Sequence, residues 1–70
     1  MTTFYIESDY IPLIALLKSA QIASSGGEAQ MFVEQGLVKL NGKLESRKRA
    51  KLRVGDIVSC NGIEVQIKAK

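Results

Sequence analysis

Seventy residues, 46% of them hydrophobic, with ten Lys or Arg against seven Asp or Glu, bound this chain to a single small domain of net charge +3. A chain of this size buries only about 60% of the surface its unfolded form exposes, so its core is thin. The one cysteine, Cys60, excludes an internal disulfide framework, the absence of histidine removes the usual zinc sites, and the apolar run Ile11 to Leu17 is too short to cross a bilayer.

Thr3-Phe4-Tyr5-Ile6 has the β-branched and aromatic content of a short edge strand. Leu13, Leu16, Leu17 and Ala20 then recur at helical spacing and predict a first helix over Pro12–Ala20, with the proline tolerated in the first turn. Ser25-Gly26-Gly27-Glu28 has the form of a capping box, in which the serine accepts from an early amide while the glutamate reaches back. Ala29, Phe32 and Val33 give the second helix one apolar stripe, and Gly36 is placed to end it.

The period changes after Gly36. Val38 and Leu40 alternate with Lys39, and Asn41-Gly42 supplies the positive φ angles of a tight hairpin. Val54-Gly55-Asp56 punctuates the entry to a second hairpin, Ile57 to Cys60, Asn61-Gly62, then Ile63 to Ile67. In its last strand Ile63, Val65 and Ile67 are expected inward and Glu64, Gln66 and Lys68 outward. The order of strand, two helices and several strands predicts an α+β fold with a small, mainly antiparallel sheet.

Charge is unevenly placed. Lys39, Lys43, Arg47, Lys48, Arg49, Lys51 and Arg53 share a window with one acid, Glu45, for a net +6; the remaining residues sum to −3, three basic against six acidic. If Arg47 to Val54 is extended, alternation puts Arg47, Arg49, Lys51 and Arg53 on one face and Lys48, Ala50, Leu52 and Val54 on the other. Leu52 and Val54 would anchor the segment while the cations face solvent. Lys39 and Lys43, flanking the turn, are expected on the same side of the domain. A solvated charged face, or a lysine-rich edge that deters aggregation, is the plain alternative. Self-repulsion in a marginal domain favours a polyanionic partner instead. The start of the second helix, with bare backbone at Gly26 and Gly27, is a second place for a phosphate, although Glu28 competes for the same amides.

The pieces Leu13…Leu17-Lys18…Ser25-Gly26-Gly27-Glu28-Ala29…Gly36-Leu37-Val38-Lys39-Leu40-Asn41-Gly42…Arg47…Gly55-Asp56 together resemble the S-four RNA-binding domain, first known from a small-subunit ribosomal protein, and in particular its small stand-alone bacterial members. The likeness runs from about Ile11 to Cys60, and Gly-Leu-Val-Lys-Leu-Asn-Gly is its most specific part. It implies an αL motif, two helices packed on a small sheet, within a single domain spanning 1–70. Carried over by position, it implies RNA contacts at Ser25, Gly26, Gly27 and Gln30 on the helix and at Lys39, Lys43, Arg47, Lys48, Arg49 and Lys51 beyond it. Many members carry arginine where this chain has Gly26 and Gln30, which shifts the expected weight of binding to the basic segment.

The resulting expectation is a small cytoplasmic RNA-binding protein, complete in itself, monomeric and associated with ribosomal or other folded RNA. Phosphate contacts would dominate, since Phe4, Tyr5, Tyr10 and Phe32 all precede the basic segment. A ribosome-associated adaptor gripping an acidic protein is the alternative. No catalysis, cofactor, metal, membrane or small-molecule substrate is expected: Cys60 has no histidine to activate it, and no phosphate-binding loop of the glycine–lysine kind is present.

Overall fold

The computed structural model describes residues 1–70. Strand β1 (Thr2–Ile6) is followed by a two-residue strand β2 (Ile11–Pro12), helices α1 (Leu13–Ser19) and α2 (Gly26–Glu34), the hairpin strands β3 (Val38–Leu40) and β4 (Lys43–Leu44), the short β5 (Lys51–Leu52), and a second hairpin of β6 (Ile57–Cys60) and β7 (Ile63–Ala69). Five strands form one sheet in the order β1-β7-β6-β3-β4, antiparallel except for β1, which runs parallel to β7 at the edge. Strands β2 and β5 pair separately. This is the α+β, αL-type arrangement expected.

Both hairpins turn on Asn-Gly pairs in the left-handed region, Asn41 and Gly42 at φ 52° and 83°, Asn61 and Gly62 at 54° and 80°. That geometry matches the right-handed twist of the flanking strands. Helix α2 ends as its sequence indicates. Gly36 stands at φ 74°, its N–H donates to the Val33 carbonyl, and the Leu37 N–H donates to Phe32, a Schellman closure. Helix α1 begins one residue later than expected because Pro12 is its extended N-cap and belongs to β2.

One face of the sheet and the two helices enclose the core. Leu13, Leu16 and Leu17 of α1 meet Ala29 and Val33 of α2 and Val38, Val58, Cys60, Val65 and Ile67 of the sheet. Each fully buried leucine stabilises by about 1.5–3 kcal/mol. Burial raises the Cys60 thiol above its ordinary pKa, so it is an inert packing group. Ile63 and Val54, both expected inward, are 40% and 54% exposed: Ile63 borders the hairpin tip, and Val54 sits in the turn before β6.

The Asn41 side chain does more than permit a turn. Its Oδ1 accepts from the Ile57 N–H at 2.8 Å and its Nδ2 donates to Asp56 Oδ1 at 3.1 Å, while Asp56 Oδ2 accepts from the Arg53 N–H at 2.8 Å. The Asn-Gly and Gly-Asp pieces, distant in sequence, thus form one joint between the hairpins. Asn41→Gly preserves the positive φ but removes both side-chain bonds, and is expected to cost about 1–2 kcal/mol in urea unfolding. A loss below a few tenths would mean the joint contributes nothing beyond turn geometry.

Candidate functional site

At the start of α2, Ser25 is extended and its Oγ accepts from the Glu28 N–H at 3.1 Å. Glu28 reaches back one residue further than a simple capping box requires, its Oε1 accepting from the Ser24 N–H at 2.8 Å. That leaves the Gly26 and Gly27 amides without a partner in the chain. Neither glycine is demanded by the fold. Both have ordinary negative φ, and an added Cβ would meet nothing within 4 Å at Gly26 and only Ser25 Oγ, at 3.9 Å, at Gly27. Their bare backbone leaves an open approach to the helix start.

The basic segment is not the continuous extended ridge expected from alternation. Glu45, only 8% exposed, accepts from the Arg47 N–H and Nε through Oε2 and from Nη2 through Oε1, at 3.0–3.1 Å. The chain then turns, with the Ala50 N–H donating to the Arg47 carbonyl at 3.2 Å, and only Lys51 and Leu52 are strand. A buried carboxylate that binds the backbone two residues on bends a segment that charge alternation alone would leave straight. The hydrogen bond from Arg47 holds the Glu45 carboxyl below its usual pKa and raises that of the guanidinium. Lys48 Nζ lies 2.8 Å from Glu34 Oε2 on α2, and this bond, with the charge behind it, lowers the Glu34 carboxyl in turn.

Arg47 and Lys48 are therefore paired within the molecule, whereas Arg49, Lys51 and Arg53 have no acidic partner. Ala50 and Leu52 are buried and pin the segment down, the Ala50 carbonyl accepts from the Leu13 N–H at 2.9 Å, and β5 pairs with β2. The basic loop is thereby fixed against the start of α1.

This docking creates a groove of about 630 Å³. Helix α1 and its N-cap contribute Pro12, Ile14, Ala15 and Lys18; Arg49 and Lys51 come from the basic loop, Gly26 from α2, and Tyr10 from the segment before β2. The Lys51 ammonium lies 5.0 Å from the centre of the Tyr10 ring and the Arg53 guanidinium 5.9 Å from it, within cation–π range. A smaller depression lined by Arg47, Arg49, Ala50 and Lys51 shares Arg49 and Lys51 with it.

Of the residues singled out in the sequence, the groove unites Gly26, Arg49 and Lys51; Ser25 and Gly27 flank Gly26, and Gln30 is exposed one turn along α2. Lys39 and Lys43 do not join them. Lys39 pairs across with Leu44 and Lys43 with Leu40, so the two lysines point to opposite faces of the β3–β4 hairpin. Sequence reasoning missed Lys18 and Tyr10, which lie outside the charged window. Lys18 stands four residues after Ile14, on the α1 face left free by Leu13, Leu16 and Leu17, and that spacing was the available signal.

The S4 domain model matches residues 4–68. This chain belongs to the S4-domain family. Its S4 fold aligns with the solution structure of YbcJ from Escherichia coli at a TM-score of 0.77 and 37% identity, covering 99% of this chain and 89% of that one; YbcJ is described there as having an αL motif involved in RNA-binding. The 37% identity to YbcJ extends over 70 residues, 99% of this S4 chain and 100% of YbcJ. RlbA of Bacillus subtilis, named a probable ribosome maturation protein, is 37% identical over 57 residues, 81% of this chain and 80% of RlbA. Two geometric absences accompany the S4 assignment: no group of three or more His, Cys, Asp or Glu side chains is close enough to hold a metal, and no helix is long and apolar enough to cross a membrane.

Proposed function

We propose that this chain is a small RNA-binding protein that docks on structured RNA, ribosomal RNA foremost, chiefly through phosphate contacts and without a catalytic step of its own. The observation that carries the reading is the convergence of Lys18, Arg49 and Lys51, none with an acidic partner, on a groove open to bare backbone at Gly26. Three unneutralised cations around one concavity attract a polyanion, and arginine adds a planar fork suited to phosphate oxygens. The family membership and the described properties of YbcJ and RlbA support the same partner class.

In this reading Lys18, Arg49 and Lys51 are the principal phosphate ligands, Ser25, Gly26 and Gly27 offer backbone contacts, and Gln30 extends the surface along α2. Arg47 and Lys48 steady the loop first and meet RNA second. Lys39 and Lys43 contribute long-range attraction from the hairpin.

If about four to six phosphates are neutralised, the logarithm of affinity for a folded ribosomal RNA fragment falls with the logarithm of salt at a slope of roughly −3 to −5. A flat salt response would refute the phosphate mechanism. Sequencing of RNA crosslinked to the tagged protein in cells identifies the target. Recovery of an acidic protein with no enriched RNA would instead favour the adaptor function.

A further inference from the structure

The groove is unlike a plain phosphate track because its lining is chemically mixed. Pro12, Ile14, Ala15 and the Tyr10 ring supply an apolar wall, and Lys18, Arg49 and Lys51 supply three cations. Its volume of about 630 Å³ falls within the roughly 300–1,000 Å³ of sites that enclose small organic groups. A regular RNA duplex offers this concavity only ribose and phosphate, which satisfy the cations but leave the apolar wall unfilled. A nucleotide turned out of its stack has a flat apolar face for the wall and a phosphate for the cations. Tyr10 precedes the basic segment in the chain, yet the fold brings its ring to that segment, with Lys51 and Arg53 both over it.

We propose that this groove seats one unpaired nucleotide of a folded RNA, its base against Tyr10, Pro12, Ile14 and Ala15 and its phosphate among Lys18, Arg49 and Lys51. The proposal rests on the RNA-binding reading above and adds what kind of RNA feature is selected: a bulge or junction, rather than an uninterrupted helix. Stacking against such a wall accepts any base, so selection is by the extruded position and not by base identity.

The test compares two fluorescently labelled RNA hairpins that differ only in one bulged uridine, using the full chain at low salt. The wild-type protein is expected to bind the bulged hairpin about tenfold more tightly, the range expected of one stacked base. Ala15→Phe fills the groove while leaving every cation in place. It is expected to bring the two affinities together by weakening the bulged hairpin alone. Equal wild-type affinity for both hairpins, or a folded Ala15→Phe variant that keeps the preference, overturns the nucleotide seat while leaving RNA binding intact. Failure to bind either hairpin or a ribosomal RNA fragment overturns the RNA-binding reading itself.

A second measurement does not depend on the variant folding. With 4-thiouridine at the bulge, irradiation of the wild-type complex is expected to link the RNA within the segment from Tyr10 to Lys18. Adducts confined to the sheet or to the β3–β4 hairpin would overturn the seat.

Discussion

Leu52→Ala is expected to lower the free energy of unfolding by about 2–5 kcal/mol, the cost of emptying a fully buried leucine site. Leu52 has no exposed surface and sits in β5, opposite Ile11 of β2, where it holds the basic loop against α1. Domains of this kind have about 5–15 kcal/mol in hand, with the smallest near the lower limit, so this one change brings the chain close to unfolding at room temperature. Urea titration followed by circular dichroism measures the effect. Leu44→Ala is the internal reference: Leu44 is 63% exposed, and its truncation is expected to stay within about 0.5 kcal/mol. Similar midpoints for the two variants would show that the basic loop is not anchored through Leu52.

The second large effect is on binding. Replacing Arg49 and Lys51 together by alanine is expected to weaken RNA affinity about a hundredfold, one tenfold step for each charge-assisted hydrogen bond to phosphate that the change removes. It also makes the salt slope shallower by roughly 1.4 to 1.8, at about 0.7–0.9 per phosphate. Arg47→Ala, by contrast, removes a guanidinium already held by Glu45, and is expected to cost no more than about threefold in affinity. Filter binding at several salt concentrations distinguishes the two. Should Arg47→Ala prove as damaging as the double substitution, the ion pair with Glu45 must open in the complex and the division between paired and unpaired cations is wrong.

That division explains which parts of the molecule could be read from the sequence. Asn41-Gly42, Asn61-Gly62, the Ser25 cap and the Gly36 closure are local devices, decided by residues within one turn of each other, and each was legible. The α+β class followed from their order, and the αL motif from the resemblance to the S-four domain. The path of residues 45 to 54 was not legible in the same way. Alternation was an adequate guide to Ala50 and Leu52, which are buried, but the side chain of Glu45 bends the chain at Arg47 and the alternation then fails at Val54. Counting charges also overstated the number of unpaired cations. Glu45 offsets Arg47 inside the window, and Glu34, fourteen positions before Lys48, reaches in from α2.

The groove itself is a product of tertiary docking. Tyr10 and Lys18 approach Arg49 and Lys51 only because β2 pairs with β5 and the Leu13 amide donates to Ala50. No window of adjacent residues contains that combination. The basic window located Arg49 and Lys51, while Lys18 and the apolar surface became visible only where α1 meets the loop.

The parallel pairing of β1 with β7 has a consequence for how the molecule is made. Thr2 lies beside Val65 and Ile6 beside Ala69, and the Lys70 N–H donates to the Ile6 carbonyl. Strand β1 therefore has no place to dock until β7, more than sixty positions later, has emerged. On a translating ribosome the two helices and the β3–β4 hairpin can assemble early, but the sheet must remain open at β6 and the first strand must wait, unpaired, beside it. Pairing of β1 with β7 then closes the sheet, so its completion is timed by the arrival of β7.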